Sequence, residues 1–137
     1  MTTQKKQSST PRRRPQFPRI SQEMLHWSAL LEAELKTWPG VSRKPMFGFH
    51  SFYRGKIIFA AIPYSRGFHT SSSFILKFDP MPSALFKRAQ ADSRLDTSTR
   101  IPGKGWFSFE LNSNIDLQDA LWWLSQAYEA ARQEKSK

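Results

Sequence analysis

Apolar and polar positions along the chain follow two periods. Over residues 21–38 the spacing is three and four. Met24, Trp27, Leu31, Leu35 and Trp38 fall on one helical face, with Glu32, Glu34 and Lys36 off it. Ser21 is placed to cap the first free amides, Glu23 suits the positive dipole end, and Pro39–Gly40 closes the segment. The period then drops to two. Phe47, Phe49 and Tyr53 share a parity within 46–53, Arg54–Gly55 offers a two-residue turn, and Lys56–Ile62 returns as a nearly continuous apolar strand ended by Pro63. Such a run predicts a central strand covered on both faces.

A polar loop occupies 63–72. Ser73–Phe78 alternates again, with Phe74, Leu76 and Phe78 opposite Ile75 and Lys77. Asp79–Pro80 predicts the start of a short helix reaching about Ala91, with Met81, Leu85, Phe86 and Ala89 inward. Residues 92–105 read as irregular. Trp106–Leu111 is the cleanest strand, and Ser113 with Asp116 forms a capping-box-like pair before a last helix striped by Leu117, Leu121, Leu124, Tyr128 and Ala131. The expected fold is α+β: a mainly antiparallel sheet of about four strands, helices on one face, order α-β-β-β-α-β-α. The expected organisation is a disordered basic arm over 1–19, one α+β domain over 20–134 and a tail over 135–137.

Composition narrows the function. The chain has 137 residues, 39% of them apolar and 14% aromatic, enough to bury one core. It has no cysteine, which excludes disulfides, thiolate nucleophiles and cysteine-built metal sites. No apolar run approaches the roughly 20 residues a membrane span needs, so no membrane partner is expected and the reading is cytoplasmic. The net charge is +10, and it is uneven. Lys5, Lys6, Arg12, Arg13, Arg14 and Arg19 lie in the first 19 residues without one acid, among prolines at 11, 15 and 18 that forbid a continuous helix. Such an arm attracts polyanions through counterion release, or serves only as a solubilising tail.

Catalytic constellations are missing. His26, His50 and His69 show no metal-ligand spacing, and only His50 and His69 are placed to approach one another across the sheet. Asp116 and Asp119 suit a helix N-terminus, and Asp79 is a cap. No G-x-S-x-G elbow occurs, and Pro102-Gly-Lys-Gly105 precedes a strand where a phosphate loop would precede a helix. No catalytic residue, metal or cofactor is assigned. Whether the chain is an enzyme stays open, with the balance against it.

The string Arg43-Lys-Pro-Met-Phe-Gly48 followed by Phe52-Tyr-Arg-Gly-Lys-Ile-Ile-Phe-Ala60 resembles the opening of the TfoX N-terminal and YjbR-like domains. Gly105-Trp-Phe-Ser-Phe-Glu-Leu111, running into Ala120-Leu-Trp-Trp-Leu124 and Tyr128, is similar to the "luciferase domain" family. The likeness covers about residues 38–132. It implies a small α+β domain. It also implies a poorly characterised family, whose TfoX-like members are associated with competence regulation and whose YjbR-like members have been suggested to bind DNA. It carries over no catalytic position.

The leading expectation is a non-enzymatic binding or regulatory module contacting nucleic acid or a protein partner. The nucleic-acid candidates are Arg12, Arg13, Arg14, Arg43, Arg66, Arg94 and Lys104. For a protein partner the exposed side of the Trp122–Trp123 pair is the expected surface. The alternative is a small-molecule-binding protein or enzyme. Its pocket would lie between the sheet and loops 63–72 and 94–105, with His50, Tyr53, His69 and Arg100 as polar groups.

Overall fold

Hydrophobic alternation in the middle of the chain builds an antiparallel sheet, and two amphipathic helices cover one of its faces. A computed structural model of the protein describes residues 19–67, 70–78, 81–96 and 105–131. The elements are α1 (Gln22–Leu35), β1 (Val41–Met46), β2 (Phe49–Arg54), β3 (Ile57–Pro63), β4 (Ser73–Lys77), α2 (Ser83–Gln90), β5 (Leu95–Asp96), β6 (Trp106–Glu110) and α3 (Asp116–Ala131). The six strands lie in the order β1-β2-β3-β4-β6-β5, and every neighbouring pair is antiparallel.

The α+β class and the antiparallel sheet agree with the periodicity. The count of four strands and the order α-β-β-β-α-β-α do not. β1 was missed because Ser42 to Pro45 are exposed and polar, and such a strand carries no apolar alternation. It is an edge strand, where lysine and proline blunt further pairing. β5 has only two residues, too few to show a period. Phe47 was read as a strand residue for its hydrophobicity. It is instead the first residue of the β1–β2 turn, with φ +48°, followed by Gly48 at +88°. The expected Asp79–Pro80 cap, the 1–18 part of the arm and the 132–137 end lie outside the described residues.

Strand parity sorts side chains onto two faces. Phe52, Ala60, Phe74, Leu76 and Phe109 pack with Met24, Leu31 and Leu35 of α1 and Trp123, Leu124 and Ala127 of α3 in the main core. A bulge between β2 and β3 leaves Phe59 without a partner, so Phe59 and Ala60 both enter that core. Phe59 meets Trp38 and Tyr128, and the Tyr128 hydroxyl donates to the Pro39 carbonyl at 2.6 Å, tying α3 to the exit of α1. On the opposite face Phe49, Ala61 and Ile75 form a smaller cluster with Met46 and Trp106.

The end of the core near α2 corrects one expectation. Trp123 is 2% exposed and belongs to the core. Trp122 lies edge-on to it under the Arg88 guanidinium, 4.2 Å from the ring centre. The pair is packing and offers little free surface to a partner.

Candidate functional site

Charge falls into two unlike halves. Between Lys36 and Phe78 the sequence has seven Lys/Arg (Lys36, Arg43, Lys44, Arg54, Lys56, Arg66, Lys77) and no carboxylate. That stretch is β1 to β4. The acids sit in α1 and from residue 79 onward.

In the acidic half, Arg94 is consumed. Its Nε and Nη2 donate to the two oxygens of Asp92 at 2.9 and 2.8 Å, Nη1 donates to Asp116 at 2.8 Å and Nη2 to Asp119 at 3.0 Å. The second Asp116 oxygen accepts the Asn112 and Ser113 amides, so this carboxylate caps α3 from inside. Arg94 holds Asp92 below the usual carboxylate range, against the opposing effect of burial. For Asp116, burial works the other way, but the Asn112 amide, Arg94 and the Ser113 amide together keep its carboxyl low. The guanidinium is raised, first by its hydrogen bonds to Asp92. Arg94, expected as a phosphate contact, therefore joins the start of β5 to the start of α3 with its guanidinium bonded to three carboxylates. Among the described residues no group of three or more His, Asp and Glu is placed to hold a metal ion. No described helix is long and apolar enough to cross a membrane.

Arg54, Lys56 and Lys77 of the basic half lie at one end of the sheet, and Arg66 lies at the other. The β1–β2 turn, the exit of β3, the entry to β4 and the exit of β6 all meet there, because their strands alternate in direction. Arg19 pairs with Arg66 in an antiparallel bridge, and Ile20 donates to the Ser65 carbonyl at 3.1 Å. Arg66 also runs beside the turn, where a Cβ on Gly48 would lie 3.1 Å from its Cγ. Phe47 at the tip is 83% exposed, and Tyr64 is 41% exposed. An exposed phenylalanine with positive φ is strained without a packing return. Beside these groups a cleft of about 500 Å³ is lined by Ser21, Glu23, Ser71, Ser72, Asn112, Ser113 and Asn114 over Trp27 and Leu111.

A second cluster sits on the helix-covered face. Glu32 is 8% exposed. One of its oxygens accepts from Arg43 Nη1 and the other from His50 Nδ1, each at 2.8 Å. The Tyr64 ring stacks on the imidazole, with centres 4.4 Å apart.

Of the four residues of the expected small-molecule pocket, His50 and Tyr53 are described. His50 and Tyr53 are three apart on β2 and face opposite sides of the sheet: His50 turns to Glu32, and Tyr53 lies under Lys44 at 5.1 Å. Neither lines the polar cleft. His69 and Arg100 lie outside the described residues. Of the nucleic-acid candidates, Arg43 and Arg66 are in the basic half, Arg94 is not, and Arg12, Arg13, Arg14 and Lys104 lie outside the described residues. Phe47 was missed as a site residue, and Arg19 was read only as part of the arm. The acid-free stretch from Lys36 to Phe78 was the available signal. Comparisons with family models, curated proteins and solved structures give no match.

Proposed function

We propose that this domain is a non-enzymatic binding module for single-stranded nucleic acid. The contact surface is the end of the sheet formed by Phe47, Tyr64, Arg19 and Arg66, extended by the basic arm. The observation that carries the reading is Phe47: a strained, exposed aromatic ring at the tip of an acid-free hairpin. An exposed ring stacks on a base whatever its identity, and neighbouring cations hold the phosphates. Arg12, Arg13 and Arg14 precede Arg19 by five to seven residues, within about 25 Å of it along an extended chain. The exposed positions of α1 carry Glu23, Leu25, Leu30 and Glu34, an unsuitable face for a duplex groove. The resemblance to YjbR-like domains points the same way.

The test is fluorescence anisotropy with labelled single-stranded DNA and RNA across a salt series. It compares the full chain, a chain beginning at Arg19, and Phe47→Ala. Affinity that falls steeply with salt, survives loss of the arm and weakens in Phe47→Ala supports the reading. Binding that disappears with the arm reduces it to tail electrostatics. No binding at low salt overturns it.

The polar cleft favours a second reading, a small polar ligand held by the hydroxyls and amides of Ser71, Ser72 and Asn112 to Asn114. A ligand-dependent rise in melting temperature that is lost in Asn114→Ala, with no oligonucleotide binding, would select it.

A further inference from the structure

Glu32 holds two cationic partners, and only one of them carries a permanent charge. Arg43 balances the carboxylate, so with a neutral imidazole the cluster has no net charge. A carboxylate only accepts, which puts the imidazole proton on Nδ1 and leaves Nε2 with a lone pair. Nε2 has no hydrogen-bond partner among the described residues, and the His50 side chain keeps 23% of its surface. Arg43 keeps 40% and uses one nitrogen on Glu32. The two residues sit diagonally on β1 and β2, where Arg43 pairs with Phe52 and Pro45 with His50. Diagonal neighbours are about 7–8 Å apart, close enough for both side chains to reach one phosphate.

We infer that His50 and Arg43 form a proton-gated site for a backbone phosphodiester, switched on by protonation of His50 Nε2. The inference rests on the nucleic-acid reading above and names a second contact for it. When a solvent proton binds the Nε2 lone pair, the cluster becomes +1 and gains an N–H donor on the imidazole that shares Glu32 with Arg43. No bond in the ligand changes. The charged and titratable groups facing the imidazole are Glu32 from α1, Arg43 from β1 and Tyr64 after β3. Tyr64 covers the ring face, so the Nε2 edge is the approach left to an anion.

The sign follows from linkage. Phosphate favours the protonated imidazole, so the bound form titrates higher than the free form. Affinity is flat below the free titration, falls by up to about tenfold per pH unit between the two, and is flat again above both. The measurement covers about pH 5 to pH 8, the range in which a free imidazole changes charge.

The experiment measures binding of a labelled oligothymidine to the full chain at constant ionic strength across that pH range, with His50→Gln alongside. In parallel, NMR follows the His50 imidazole with inorganic phosphate against chloride, with exposed His26 as the internal control. A pH-dependent wild type and a flat His50→Gln support the site. Wild-type binding with no pH dependence, or dependence that persists in His50→Gln, overturns it and leaves the nucleic-acid reading standing. Absence of oligonucleotide binding at any pH sinks that reading, and the phosphate arm then decides alone. A rise of the His50 midpoint beyond that of His26 supports a phosphate site, and equal behaviour overturns it. That arm uses the wild-type chain, so a misfolded variant does not block the answer.

Discussion

Replacing Arg94 with alanine should unfold the protein more easily while leaving the proposed salt-dependent binding of nucleic acid intact. The guanidinium makes four hydrogen bonds to three carboxylates, two of them to Asp92. Removing one partner of a fully buried ion pair costs about 3–5 kcal/mol. Here the Arg94 side chain keeps 23% of its surface, with Asp92 at 16%, Asp116 at 12% and Asp119 at 59%. The Asp119 contact is largely screened, while the other two strand partly buried charges, so the expected loss is about 2–3 kcal/mol at neutral pH. With a urea slope of about 1.5 kcal/mol per molar, the midpoint falls by about 1.3–2 M.

The assay is urea denaturation followed by tryptophan fluorescence, repeated at falling pH. Asp92 and Asp116 have lowered pKa values in the native state. Their stabilisation is complete above the unfolded carboxylate range near pH 4 and is lost as pH drops through the lower folded values. Arg94→Ala lacks the arginine's share of that contribution, so the gap between wild type and variant should shrink on acidification. A neutral-pH loss below about 1 kcal/mol, or a gap that does not narrow in acid, would refute the structural role. A loss of affinity in the still-folded variant would restore Arg94 to the binding surface.

Three further substitutions test other parts of the argument. Phe47→Asn should stabilise the chain by about 1 kcal/mol, since asparagine tolerates positive φ, and weaken single-strand binding by about 1 kcal/mol or more; a gain in midpoint without loss of affinity would show that the exposed ring contacts nothing. Ser28 is 3% exposed and its hydroxyl has no hydrogen-bond partner among the described residues, so Ser28→Ala should be neutral or stabilising by up to about 1 kcal/mol in the same titration. Tyr128→Phe removes the bond to the Pro39 carbonyl and should cost about 1 kcal/mol, with the Arg54 guanidinium still over the ring at 3.9 Å.

What could be read from sequence was whatever burial had written into it. α1, β3, β4, β6 and α3 each bury a face, so their apolar residues recur at the period of the element. β1 buries almost nothing and owes its place to pairing with β2 across the Phe47–Gly48 turn, so no apolar alternation marks it. The Phe47–Gly48 turn misled because a phenylalanine between methionine and a strand is normally core. Only the backbone angle shows that this ring was placed at a tip. Asp116 was read as one half of a capping pair, and it does accept the Ser113 amide. Its bond to Arg94, 22 residues away in sequence, needed the fold.

The same limit explains the site. His50 and Tyr53 were grouped because they are three apart on one strand. A pleated strand sends such residues to opposite faces, and each found its own cation there: Arg43 beside the carboxylate of His50, and Lys44 over the ring of Tyr53. Neighbours in sequence on β1 thus serve different faces of one edge. Arg43 has a carboxylate to balance and Lys44 does not. The charge a polyanion meets at this edge therefore depends on whether Glu32 is offset once, by Arg43, or twice, by Arg43 and a protonated His50. Arginine content alone would rank Arg94 with Arg43. What separates them is the number of carboxylates each must satisfy, three for Arg94 and one, shared with a titratable partner, for Arg43.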